Sequence, residues 1–67
     1  MKVQAEIRNV DSVGRMVLLT AHNDTVVIFT QSQVDASLRG RLFHDGEVVT
    51  LEREEGQRRM SDWRIIG

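Results

Sequence analysis

The residue type in this chain best suited to recognition chemistry is arginine. Eight of the nine basic residues are Arg, the exception being Lys2. A guanidinium is a planar fork that matches a phosphate or a carboxylate. Arg15 stands near a turn in the first half, and Arg39, Arg41, Arg58, Arg59 and Arg64 fall in the second. The rings are Phe29, Phe43 and Trp63. Arginines beside an exposed ring can hold a single strand, with phosphates paired and a base stacked. The opposing reading is a solvated surface of mixed sign. Residues 34–67 hold six Arg against seven Asp or Glu, and solubility alone produces such interleaving.

Other chemistry is thin. His22 and His44 are titratable near neutral pH, but no Ser is spaced to act as a nucleophile beside either. The chain has no Cys, which excludes a disulfide, a thiolate metal site and a cysteine nucleophile. Two histidines alone are too few for a typical zinc site. No Gly-rich phosphate loop or nucleophile elbow is present. Glu54-Glu55 falls in a polar turn rather than a walled pocket. The expectation is a binding protein, not an enzyme, with no cofactor and no metal.

The elements that must position these residues follow from hydrophobic period. Residues 2–10 alternate, with Val3, Ala5 and Ile7 on one face and Lys2, Gln4, Glu6 and Arg8 on the other. That is a half-buried strand ended by the turn at 11–14. Residues 15–21 and 25–30 are apolar on both faces and are joined by His22-Asn23-Asp24, a tight polar hairpin. In 31–40, Ser32 and Asp35 resemble a capping pair, Val34 and Leu38 lie four apart, and Gly40 is a stop. This predicts a helix of about two turns. After the turn Asp45-Gly46, residues 47–53 alternate with Val49 and Leu51 inward, and 58–66 form a last strand with Trp63 and Ile65 on one face. Phe29 is expected in the core, Trp63 at the barrel closure and Phe43 at a bend, either as an exposed ring or equally as a loop anchor.

With 67 residues there is room for one small domain, spanning 1–67. The order β-β-β-α-β-β predicts an all-β, five-stranded, OB-like barrel with one short helix. An SH3-like small barrel is the alternative; it places a helical turn just before its last strand.

The hairpin at Arg15 to Thr30, the insert at 32–39, the stretch LFHDGEVVTL at 42–51 and the basic Arg58-Arg59-Met60 resemble the short OB-folds of bacterial translation initiation factor one and the S1-type ribosomal domains. The resemblance rests on order and size. It implies a nucleic-acid-binding module, RNA first, that contacts single-stranded RNA or DNA through Arg15, Arg39, Arg41, Phe43, Arg58, Arg59 and Arg64. The formal charge of −1 sets this chain apart from the strongly cationic members of that group.

The central hairpin is greasier than a small barrel can hide. Alternate side chains must point outward, so either Met16/Leu18/Val26/Ile28 or Val17/Leu19/Val27/Phe29 lies outside. An outer apolar patch of that size marks a protein contact. The second functional reading is therefore a protein-interaction module, docking a partner or forming a homodimer through this hairpin. The start MKVQAEIRNV has no apolar h-region, and no apolar run is long enough to span a bilayer. A cytoplasmic location and no membrane partner are expected.

Overall fold

The computed structural model describes residues 1–67. Five strands are present: β1 Lys2–Val10, β2 Met16–Thr20, β3 Thr25–Ile28, β4 Val48–Glu52 and β5 Arg64–Ile65. They form one antiparallel sheet in the order β3-β2-β1-β4-β5, curled into a half-barrel. No helix is long and apolar enough to cross a membrane.

Curling follows from β1. It is the longest strand and pairs on both sides, with Ala5 opposite Thr20 on β2 and opposite Val49 on β4. Its register to β2 shifts between Ile7 and Asn9, and a bulge there bends the strand and increases its twist. The alternation read from residues 2–10 places Ala5 and Ile7 in the core. From β2 and β3 come Met16, Leu18, Val26 and Ile28; from β4 and β5 come Val49, Leu51 and Ile65. The outer set of the hairpin is therefore Val17, Leu19, Val27 and Phe29.

Turn chemistry holds the hairpins. At the β2–β3 turn the hydroxyl of buried Thr20 accepts N–H bonds from His22 (3.2 Å) and Asp24 (3.0 Å). Asn23 sits at φ 66°, the left-handed region Asn tolerates better than most residues. Ahead of β4, Gly46 at φ 86° donates to the Ile7 carbonyl, and Ile7 N–H returns to Glu47. These bonds bind the approach segment to the bulged part of β1.

The two-turn helix predicted within 32–39 is not formed. In its place stand two 3-10 turns, Gln31–Gln33 and Ala36–Leu38. Between them Val34 is extended, buried, and bridged in parallel to Ile65. Asp35 N–H donates to the Ile65 carbonyl at 2.8 Å. The pairing with β5 outcompetes a helix too short to be stable alone. Asp35 still caps, but it caps only the second turn, through Ser37 N–H.

The last strand is also shorter than predicted. Asp62 accepts the Arg59 N–H, and residues Met60–Asp62 turn as 3-10 before β5 begins. Trp63 and Ile65 are nevertheless both buried, as the alternation required. A turn thus lies between β3 and β4, as in the OB-like layout, and another lies just before the last strand, as in the SH3-like alternative.

Candidate nucleic-acid interface

The half-barrel leaves a seam between β3 and β5, and a buried side-chain amide spans it. Gln33 is 4% exposed. Its Oε1 accepts the N–H groups of Phe29 (2.8 Å) and Thr30 (3.3 Å) at the end of β3. Its Nε2 donates to the carbonyl of Trp63 at 3.2 Å and, more weakly, to that of Met60 at 3.5 Å. A primary amide is both donor and acceptor, so it replaces the ladder that these two segments do not form. Nothing local in the sequence distinguished Gln33 from Gln31.

On the outside of this seam lies the face that could carry chemistry. Val17 pairs with Val27, and Leu19 with Thr25. Phe29 follows inward-facing Ile28, so it points out and is 49% exposed. Continuing the register by one residue sets Arg15 opposite Phe29. Across the seam, the Met60 sulfur accepts the Val27 N–H at 3.2 Å, which places the Met60–Asp62 turn beside β3.

Phe29 thus leaves the core place expected of it, and of the two readings of Phe43 the loop anchor is the one found. Phe43 is partly buried against the core, with the Arg41 guanidinium 4.5 Å from its ring centroid. Phe29 is the exposed ring. Trp63 is buried, and Arg53 lies over it at 4.3 Å, a cation–π contact that covers the barrel closure.

The arginines fall into distinct states. Arg15 donates through Nε to Asp11 at 2.7 Å. Arg41 pairs with Glu47, and Arg64 with Glu52 at 3.0 Å across β4 and β5. Arg39 donates its Nε to the carbonyls of Gln31 and Val34, just beyond Phe29 in the chain. The Arg58 and Arg59 side chains make no hydrogen bond or ion pair within the protein. The seven candidate residues therefore do not form one cluster. Arg15 and Arg39 border the end of β3, Arg59 precedes the Met60–Asp62 turn that packs on β3, and Arg58 lines a cleft with Met1, Arg53 and Gln57, whereas Arg41 and Phe43 lie on the approach to β4 and Arg64 lies on β5.

The acids that offset these arginines are partly committed. Asp11 accepts the N–H groups of Val13 and Arg15 and the Arg15 guanidinium. Partial desolvation pushes its carboxyl up, but these bonds together outweigh it and hold the group below its ordinary value. Asp35 is also held low, first by the Ser37 hydroxyl, then by the Ser37 N–H, with Arg64 and Arg39 adding attraction. A carboxyl lowered in the folded state stabilises the fold above its unfolded value of 3.8, and the contribution is lost as pH falls below it. Protection of the Val13, Arg15 and Ser37 amides, taken relative to the intrinsic exchange rate at each pH, is expected to fall as pH drops below about 4, ahead of that of the core amides. Unchanged protection across that range would show that these turns are not held by their carboxylates.

His22 and His44 are both exposed, in the β2–β3 turn and the bend before β4. No group of three His, Asp or Glu side chains converges to hold a metal ion. A polar cleft of about 360 Å³ lies on the β4–β5 side, bordered by Ser32, Gln57, Ser61 and Asp62 with the Glu52–Arg64 pair, and no apolar side chain lines it. No protein-family model, curated protein or solved structure matches the chain.

Proposed function

We propose that this chain is a non-enzymatic, OB-type module that binds single-stranded nucleic acid, RNA first, across the outer face of β2 and β3. The strand arrangement supports the OB reading. A central β1 pairs with both β2 and β4, and the segment after β3 runs parallel to β5. In such barrels the β2–β3 face and the loops beside it receive oligonucleotides.

The observation that carries the reading is Phe29, half exposed on that face, with Arg15 opposite it in the extended register and the unpaired Arg58 and Arg59 leading into the Met60 turn that contacts β3. Mechanism follows from the chemistry. An unstacked base lies on the Phe29 ring, and the smaller Val17 and Val27 side chains extend the apolar platform. Arg58 and Arg59 take phosphates as charge-assisted pairs, and the free Nη atoms of Arg15 offer another contact. Duplex is excluded because its bases are already stacked. With an overall charge of −1, phosphate attraction under this reading is local and rests first on Arg58 and Arg59, which are in no ion pair, because Arg15, Arg41 and Arg64 are already paired with acids. The other candidates, Arg39, Arg41, Phe43 and Arg64, are secondary contacts under this reading. Such a module works in the cytoplasm and needs no cofactor.

A second reading, protein docking or homodimerisation, is favoured by the aliphatic character of Val17, Leu19 and Val27 on the same face. Phe29→Ala separates the two. One stacked base is worth about 1–3 kcal/mol, so affinity for a single-stranded oligonucleotide should fall about tenfold or more, with Phe29→Trp retaining it. Unchanged affinity in Phe29→Ala would remove stacking from the account.

A further inference from the structure

β3 is the edge strand of the sheet, and its outward N–H groups need acceptors. Phe29 finds the Gln33 amide; Val27 finds only the Met60 thioether. A thioether is a weak acceptor. Met60 is 40% exposed, whereas Met16 is 3% exposed inside the core. The Met60 side chain that closes the seam is therefore open to solvent, whereas that of Met16 is not.

We infer that Met60 is an oxidation site, and that its sulfoxide releases the edge of β3 from the turn that precedes β5. Hydrogen peroxide is the co-reactant. The solvent-facing sulfur lone pair attacks one peroxide oxygen, the O–O bond breaks, an S–O bond forms, and the second oxygen leaves as water after proton transfer. Methionine is oxidised by two electrons and peroxide is reduced. The sulfur then carries positive polarisation, and its remaining lone pair no longer accepts the Val27 N–H. If the oxygen instead forms on the side of Val27, an S–O bond plus an N–H···O distance of about 2.9 Å does not fit within the present 3.2 Å separation. Either way the present contact of the Val27 N–H with the sulfur is lost.

Loss spreads along a short path. The Met60 carbonyl holds Gln33 at 3.5 Å, the longest bond in the seam, and Trp63 N–H donates to the same carbonyl at 3.3 Å. Displacing Met60 loosens both and uncovers the single Trp. The change is reversible, because methionine sulfoxide is returned to the thioether by dedicated reductases. The seam geometry carries this consequence whatever the outer face binds.

The test uses the intact chain and limiting hydrogen peroxide. Trypsin separates the methionines, placing Met60 in the peptide Met60–Arg64 and Met16 in the peptide that begins at Met16. The expected result is one added oxygen on Met60 well before Met16. With it, amide exchange at Val27 should accelerate at least about tenfold while Leu18 stays protected, and Trp63 emission should shift to the red. Reduction by methionine sulfoxide reductase should restore both signals. Met60→Leu should show the exposed Val27 amide without peroxide and no further change with it. Oxidation of Met60 that leaves Val27 exchange and Trp63 emission unaltered would overturn the inference, as would oxidation of Met60 no faster than that of Met16.

Discussion

Replacing Gln33 with Leu is expected to cost about 3 kcal/mol, the largest stability effect of any single polar substitution in this chain. Leucine preserves volume and burial but makes none of the four bonds. The Trp63 carbonyl loses its amide donor in a buried setting. Phe29 N–H loses its acceptor, although Thr30 lies at the surface and water can replace its bond. An orphaned buried group costs about 1–3 kcal/mol, and two such groups with partial rehydration of the rest give the estimate. A 67-residue domain has about 3–10 kcal/mol in total at the usual value per residue. Each kcal/mol moves Tm by about 4–8 °C at this size, so a fall of about 12 °C or more is expected in thermal unfolding followed by circular dichroism. Gln33→Glu gives the control. Ionised, it keeps the acceptor and loses the donor; protonated at low pH, it regains a donor to the Trp63 carbonyl and should recover part of the loss. A Gln33→Leu protein melting within about 3 °C of the parent would mean that the seam is held by apolar contacts alone.

The second large effect is on binding. Reversing the charge of Arg58 and Arg59 together is expected to lower affinity for single-stranded RNA by about ten- to a hundredfold. Neither side chain supports the fold through a salt bridge, so the variant should melt as the parent does, and loss of binding can be read as loss of contact. Each phosphate contact on a single strand contributes about 0.7 to the slope of log affinity against log salt. Removing two should flatten that slope by about 1.4. Arg41→Glu is the comparison. It breaks the pair with Glu47 and the contact over Phe43, so it should disturb the bend before β4 while changing the salt slope little. Equal losses in the two variants would mean that binding tracks overall charge instead of a localised face.

What could be read from the sequence was whatever local period decides. β1 and β4 each have one greasy side, and their inward residues Ala5, Ile7, Val49 and Leu51 are those the alternation named. The β2–β3 hairpin is greasy on both sides, so period alone left two sets. Pairing with β1 chose between them, and that choice moved Phe29 outside. Phe43 stays open between an exposed ring and a loop anchor for a different reason. Its bend has no period, and its burial comes from tertiary packing against the core. The missing helix is a conflict between local and distant demands. Val34 and Leu38 have helical spacing, but Val34 pairs with Ile65, 31 positions further along the chain, and no pattern within residues 31–40 reports that. Gln33 and Met60 were invisible as seam residues for the same reason, because their partners are Trp63 and Val27. Of the candidate site, the arginines were legible as residue types. Their division into paired and unpaired members depends on which acid folds beside each.

Titrating a fluorescently labelled single-stranded RNA, and the same DNA sequence, with the purified protein at about 50 and 200 mM salt decides whether the outer face of β2 and β3 binds nucleic acid. Light scattering on the same samples gives the mass. Three arginine contacts on a single strand predict a slope of about −2, so binding should weaken by about tenfold or more across that range, with the free protein at the mass of one chain. Absence of binding at both salt concentrations, with the mass of a dimer, would contradict the account and assign Val17, Leu19, Val27 and Phe29 to a protein interface.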